Sequence, residues 1–346
     1  MKLVIQIPCL NEEASLAQTI ADLPRHIDGI DEIELLVIDD GSTDRTVEVA
    51  HAAGAHHVIR HPVNKGLAAA FQSGLNAALY LGADVIVNTD ADNQYQGRFL
   101  ASLVYPILTQ QADIVIGDRQ TQLIPHFSRS KKFLQQLGSA VVRLVSKTNI
   151  PDAPSGFRAF SREAALRINV LTNYTYTLET IIQAGQNNLV VASVPIKTNV
   201  SARESRLIKS TSTYILRSSL TIINLFILYQ PLRLFSCLAV PFFVIGAGLW
   251  LWYLSFVLQG EAGSGTHVQS VIVGATLVII AFFIFLIGLL GNLISINRRM
   301  HEEALYYAKR AALSQENGSP QFETHLARPW TKTQVPLPVE NAEQKR

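Results

Sequence analysis

Two aspartates close the run Val85-Ile86-Val87-Asn88-Thr89-Asp90-Ala91-Asp92-Asn93-Gln94. The apolar stretch before them has the length of a buried strand, and ligands of open α/β sheets bind at the carboxyl ends of strands. Asp90 and Asp92, with Gln94 two places on, are hard oxygen ligands of the kind Mg²⁺ or Mn²⁺ takes. A cation there would hold a diphosphate and neutralise the charge on a departing nucleoside diphosphate. A lone Asp-x-Asp is equally well explained as a solvated acidic loop, so the weight rests on its surroundings.

Strand-like and helix-like stretches alternate over residues 1–196. Strands are expected at 3–7, 34–38, 57–60, 84–88 and 114–116, and helices at 14–23, 43–53, 67–81 and 99–110. This alternation implies a largely parallel α/β sheet covered on both faces. Acids gather where the strands end: Glu12 after the first, Asp39 and Asp40 after the second, Asp90 and Asp92 after the fourth. Three strand ends converging in carboxylates suggest a nucleotide-sugar site. Asp40 can accept hydrogen bonds from a base edge or a ribose, although Asp40-Gly41-Ser42-Thr43 also reads as a turn and helix cap. Asn64-Lys65-Gly66 can place a cation beside base or phosphate. No Gly-x-Gly-x-x-Gly follows the first strand, which disfavours a dinucleotide oxidoreductase.

The 346 residues carry a formal net charge of +2, so bulk charge points to no nucleic-acid partner. Cys9 and Cys237 read as small apolar residues in a reducing setting. The first residues show no signal-peptide pattern, because the short apolar run after Lys2 breaks at Pro8 and meets Glu12-Glu13. Residues 234–258 and 268–297 contain no charged side chain. Each exceeds the roughly 20 apolar residues a spanning helix needs, so two transmembrane helices are expected. Arg217 and Arg233 precede the first and Arg298 and Arg299 follow the second, which puts both termini in the cytoplasm of an inner or plasma-membrane protein. Residues 130–147 and 209–229 have the apolar spacing and flanking cations of interfacial helices, the first fitting core packing equally well. The expected layout is a catalytic domain over 1–208, an interfacial helix over 209–231, two spans over 232–297 and a partly disordered cytoplasmic tail over 298–346. Gly246, Gly248, Gly288 and Gly291 permit close helix packing, which leaves a homo-oligomer open.

Taken together, Ile7-Pro8-Cys9-Leu10-Asn11-Glu12-Glu13, Val37-Ile38-Asp39-Asp40-Gly41-Ser42-Thr43-Asp44, Asn64-Lys65-Gly66, Asp90-Ala91-Asp92-Asn93-Gln94, Ser155-Gly156-Phe157-Arg158-Ala159-Phe160-Ser161-Arg162 and Val194-Pro195-Ile196 resemble family 2 glycosyltransferases. The nearest likeness is to polyprenyl-phosphate glycosyltransferases, such as dolichyl-phosphate mannose synthases and bacterial undecaprenyl-phosphate sugar transferases. The resemblance covers about residues 1–235. It implies a GT-A fold, a Rossmann-like mixed sheet, and inverting transfer of one sugar from a UDP- or GDP-sugar to a membrane polyprenyl phosphate. By position it implies a cation and diphosphate group of Asp90, Asp92 and Gln94, with Mg²⁺ or Mn²⁺ as cofactor, and a nucleotide group of Pro8, Asn11, Glu12, Asp40 and Lys65, which Asp90 adjoins. Arg119 and Arg129 correspond to acceptor-phosphate contacts, since an anionic lipid approaching an anionic donor needs guanidinium groups. The same argument extends to Arg203 and Arg206, although the family often has Gly-Glu-Ser-Lys in this stretch. Another departure is Cys9, where the family often has Ala.

Glu179 occupies a position often acidic in the family. A phosphate acceptor is already an anion, so neither Asp92 nor Glu179 is required as general base, and positioning with charge neutralisation is expected to carry the reaction. Two alternatives remain at this level. One is a transferase acting on a glycolipid or polysaccharide, disfavoured because no Gln-x-x-Arg-Trp is present. The other is a catalytically inactive membrane scaffold that binds nucleotide or lipid.

Overall fold

The structure, a computed structural model, describes residues 1–120, 143, 146, 148, 150–170, 176–199, 224, 227–259 and 268–316. Seven strands form one sheet: β1 (Lys2–Cys9), β2 (Glu32–Asp39), β3 (His57–Arg60), β4 (Val85–Asn88), β5 (Ile114–Asp118), β6 (Arg158–Ser161) and β7 (Val191–Pro195). Their order is β3-β2-β1-β4-β6-β5-β7. All neighbours are parallel except β6, which runs antiparallel to both β4 and β5. The sheet is therefore largely parallel, as the alternation implied, and mixed at β6, as the resemblance implied. Four residues of β6, bounded by loop and helix, are too few for a period to show.

Side chains alternate across the sheet and fill both faces. Val4, Leu36, Ile38, Ile86, Ile116 and Phe160 face a core completed by α3 (Leu67–Tyr80), α5 (Arg162–Arg167) and α6 (Tyr176–Gln186). Leu3, Ile5, Ile7, Val37, Val87 and Val115 face the other, closed by α1 (Leu16–Asp22), α2 (Thr46–Ala52) and α4 (Leu100–Leu108). Two helices begin later than the apolar period suggests. Asp44 Oδ1 accepts from the Thr46 N–H (3.0 Å), a local side-chain bond that delays α2 to Thr46. Residues before Leu16 are likewise spent on a turn closed by the Glu12 carbonyl.

Two further helices, α7 (Pro231–Leu258) and α8 (Val268–Glu316), form an antiparallel hairpin. Both are long and apolar enough to cross a membrane, and only 11% and 17% of their most apolar windows are buried, unlike soluble core helices. Gly246 packs on the Gly274 backbone and on Val278, Gly288 on Phe235, and Gly291 on Pro231. Three of the glycines singled out in the sequence thus close the hairpin on itself, while no described residue lies within 4 Å of a Cβ placed at Gly248. Helix α8 does not end with its apolar part. It continues to Glu316, about 70 Å in all, into the stretch 298–346 read as a partly disordered tail, whose disorder the sequence suggested only after about Asn317. Its polar half lies on the sheet domain. Tyr306 is buried in the core beside α5, its hydroxyl donating to Glu163 Oε1 (3.0 Å), with Arg167 stacked over its ring.

Candidate functional site

Parallel pairing of β2, β1 and β4 brings their carboxyl ends to one edge. The chain leaves β1 toward β2 on one side and returns through β4 on the other, so this edge is a topological switch point, where open α/β sheets bind ligands. The loops carrying Asn11-Glu12, Asp39-Asp40 and Asp90-Asp92 therefore stand side by side.

The first two loops are tied together by their own polar groups. Pro8 lies buried in β1 opposite Ile38. Asn11 adopts a left-handed conformation (φ 54°), and its Oδ1 accepts from the Thr43 N–H (2.8 Å) while its N–H donates to Ser42 Oγ (2.9 Å). Glu12 Oε2 accepts from Ser15 Oγ (2.6 Å), and its backbone N–H donates to Thr46 Oγ1 (2.9 Å). Asn11 and Glu12 thus set the shape of the rim.

Asp40 differs from its sequence expectation. It is 3% exposed, and its oxygens are already engaged: Oδ1 with His61 Nδ1 (2.7 Å) and the Lys65 N–H (2.9 Å), Oδ2 with the Gly66 N–H (2.8 Å). A carboxylate so placed holds the 64–66 loop rather than presenting its face to a ligand. What that loop presents is the exposed side chain of Lys65. Gly41 makes the arrangement possible. A Cβ there would stand 2.8 Å from the Val63 and Asn64 backbone, and its φ is +79°.

The third loop holds the acids. Asp92 is exposed, and its Oδ1 accepts from the Gln94 N–H (3.0 Å) across Asn93, which is left-handed (φ 54°). Asp90 is half-buried. Removal from water and the neighbouring charge of Asp92 push its pKa up to about 7, against the pull of Arg119, Arg158 and the Tyr95 hydroxyl. Gly156 packs against it. A Cβ at Gly156 would sit 2.9 Å from Asp90 Oδ2 and from the Tyr176 hydroxyl, so only glycine lets this backbone approach the carboxylate. Tyr95 is buried, stacked on Phe157, and its hydroxyl accepts the Gly156 N–H (3.0 Å). Burial pushes its phenol up to about 12, so it remains a donor to Asp90.

Two guanidinium groups stand behind this loop, each turned to other partners. Arg119 forks onto Asp152, Nε to Oδ2 (2.8 Å) and Nη2 to Oδ1 (2.9 Å). Burial works to lower its pKa, but Tyr95, Asp152 and Asp90 together raise it. Among the described residues the Arg119 N–H donors that Asp152 does not take have no other partner, which leaves that edge for another anion. Arg158 is completely buried and donates to the carbonyls of Ser155 (2.7 Å), Thr177 (2.7 Å) and Ala153 (2.6 Å) and to Thr180 Oγ1 (2.6 Å). Burial pulls it down to about 10, which leaves it cationic at neutral pH. No ion pair to Asp90 occurs among the described residues, so it feels both cations at a distance and keeps the lone pairs that Tyr95 does not take for a ligand.

Among the described residues no group of three or more His, Cys, Asp or Glu side chains could hold a metal unaided. Two carboxylates completed by substrate phosphates is the usual way Mg²⁺ is bound, so the donor set of Asp90 and Asp92 fits a divalent cation arriving with a diphosphate. Gln94 is half-buried in the same loop, and its carbonyl accepts the Asn199 N–H (2.8 Å).

Arg129, Arg203 and Arg206 lie outside the described residues, as do most of residues 130–147 and 209–229. Glu179 is described, and it belongs elsewhere. It is completely buried in α6, where Oε1 accepts from Arg298 Nη2 (3.1 Å), the Tyr229 hydroxyl (3.3 Å) and Gln183 Nε2 (3.3 Å). Arg298 also reaches Glu302 (2.8 Å) and lies over the Tyr229 ring. Glu179 thus fastens the sheet domain to α8 where that helix leaves its apolar part. Sequence reasoning missed Tyr95, Asp152, Tyr176 and Asn199. Of these only Tyr95 carried a signal, its place beside the acidic run.

The mixed sheet and its edge of carboxylates define a GT-A-type nucleotide-sugar transferase fold. Residues 4–168 match the profile of the family described as "Glycosyl transferase family 2". A protein of Methanocaldococcus jannaschii, itself uncharacterised, is 31% identical over 204 residues, 57% of this chain and 81% of the relative. An undecaprenyl-phosphate mannosyltransferase of Micrococcus luteus is 29% identical over 206 residues, 57% of this chain and 83% of its own. Among solved structures, glucosyl-3-phosphoglycerate synthase of Mycobacterium tuberculosis, in complex with Mn²⁺, UDP-glucose and phosphoglyceric acid, superposes with a TM-score of 0.51 at 25% identity, covering 64% of this chain and 79% of that one. The chain belongs to glycosyl transferase family 2.

Proposed function

We infer that this protein is an inverting glycosyltransferase that moves one sugar from a UDP- or GDP-sugar to a polyprenyl phosphate at the cytoplasmic face of a membrane. The observation that carries the reading is the Asp90/Asp92 loop at the switch point of a domain bolted to a pair of apolar helices. The acceptor class is supported by the likeness to an undecaprenyl-phosphate transferase and by the long apolar helices, since a lipid phosphate has its charge in water and its tail in the bilayer. The cation is supported by the donor set and by the Mn²⁺ and UDP-glucose in the structural relative.

In this reading Asp90, Asp92 and Gln94 hold Mg²⁺ or Mn²⁺, which would neutralise the diphosphate as it leaves. Tyr95 and Gly156 keep the Asp90 carboxylate in place. Asn11 and Glu12 shape the nucleotide rim, with Pro8 beneath them, and Asp40 aims Lys65 at it. Arg119, Arg129 and Arg203 receive the acceptor phosphate, Arg119 through the edge Asp152 leaves open. A phosphate oxygen of the lipid attacks the sugar C1 as the bond from C1 to the diphosphate breaks, and no proton has to be removed first. The chain is divided, on this view, into a catalytic part over 1–208, an interfacial stretch over 209–231 and spans over 232–297, with both termini cytoplasmic.

The test is transfer by purified full-length protein in detergent, supplied with Mn²⁺ or Mg²⁺, polyprenyl phosphate and a panel of labelled UDP- and GDP-sugars. Label entering the organic phase as an acid-labile product, dependent on the cation, is the expected result and names the sugar. Nucleotide binding without transfer from any donor would overturn the acceptor.

A further inference from the structure

The acidic loop is held from outside by the segment that follows β7. Thr198 forms an antiparallel bridge with Tyr95, and the Asn199 N–H donates to the Gln94 carbonyl (2.8 Å). The Asn199 side chain adds two bonds. Its Nδ2 donates to the Asn93 carbonyl (2.9 Å), and its Oδ1 accepts from Gln96 Nε2 (2.9 Å). Asn199 therefore grips residues 93, 94 and 96, across a separation of over a hundred positions in the chain.

The bonds fall where the loop needs support. Asn93 is left-handed, a conformation that Asn tolerates better than other side-chain-bearing residues and that the bond to its carbonyl helps to hold. The turn at Asn93 sets the direction of Asp92 on one side and Gln94 on the other. Asp92 is exposed, and its Oδ1 accepts back across this turn from the Gln94 N–H. Metal ligands are tuned by the groups that orient them, and loss of such a group typically weakens affinity tenfold or more.

We propose that Asn199 is a positioning residue for the divalent cation. It fixes the Asn93 turn so that Asp92 and Gln94 meet the same ion as Asp90. This deepens the function proposed above and rests on it. It also places Thr198 and Asn199 in direct contact with the loop that takes the donor.

The test uses the full-length protein in detergent and reads Mn²⁺ binding by electron paramagnetic resonance, with saturating UDP or GDP, for the native protein, Asn199→Ala and Gln96→Met. Gln96→Met is the milder variant, because Gln96 Oε1 has no partner among the described residues and only the bond to Asn199 is lost. Asn199→Ala is expected to weaken Mn²⁺ about tenfold and Gln96→Met about threefold, while nucleotide affinity without metal stays unchanged. Unchanged Mn²⁺ affinity in both variants beside a native protein that binds Mn²⁺ overturns the role of Asn199 alone, and a lowered melting temperature would then mark the bonds as merely structural. Failure of the native protein to bind Mn²⁺ with either nucleotide overturns the metal reading itself and this inference with it. Should Asn199→Ala fail to fold, Gln96→Met decides.

Discussion

Asp90 and Glu179 are carboxylates of the same domain, both drawn away from water, and they are treated in opposite ways. Glu179 has a guanidinium hydrogen-bonded to it, with a phenol and an amide on the same oxygen. Asp90 has two guanidinium groups behind it, but Arg119 is turned onto Asp152 and Arg158 onto carbonyls. Its pKa rises to about 7, the mark of a negative charge with incomplete compensation. A buried pair that is fully bonded serves cohesion and register. A carboxylate left short of positive charge beside a second carboxylate is prepared for a cation. In the sequence Asp90 read as a ligand, and Glu179 as an acid at a family position with no required role. The partners, not the acids, separate the reacting site from the strut.

Substitutions can break this contrast. The largest effect is expected from Asp90→Ala and Asp92→Ala, each cutting transfer by at least about 10²-fold with normal protein in the membrane; transfer within a few fold of native would remove the acidic loop from the chemistry. Next comes Arg298→Ala, which strands a buried carboxylate at a cost of about 3 kcal/mol, or about 6–12 °C in melting temperature. Leu at 179 with Met at 298 should recover part of that loss, and neither variant should change the metal dependence of transfer. Gly156→Ala sharpens the comparison. Its Cβ meets Asp90 and Tyr176, so an overpacking cost of about 1–3 kcal/mol should come with weaker Mn²⁺ binding, which no variant at the Glu179 junction should show. Tyr306→Phe is the smallest, losing the bond to Glu163 and the one accepted from Arg310 at about 1 kcal/mol, read by thermal unfolding, with transfer unaltered.

The first five strands, their order of appearance and the acids after β1, β2 and β4 were legible because buried strands are unbroken apolar runs and their ends are polar, whereas half-exposed β7 was not expected. The two spans were legible from length alone. Antiparallel β6 was not, since four residues carry no period. Nor was the inward turn of Asp40, which depends on His61 and on backbone N–H groups more than twenty residues away. The junction at Glu179 joins residues 119 positions apart, and Arg298 had a sufficient explanation as a flanking positive charge. Asn199 is ordinary in sequence and acquires meaning only from the loop it touches.

The most direct test of the account is the initial rate of sugar transfer to polyprenyl phosphate as a function of Mn²⁺ concentration. It compares the native protein, Asp92→Asn and Glu179→Gln at a temperature where all three are folded. The account predicts that native protein and Glu179→Gln saturate at the same metal concentration with rates within about threefold, while Asp92→Asn shows no metal-dependent transfer. Metal-dependent transfer surviving in Asp92→Asn, or abolished in folded Glu179→Gln, would contradict it.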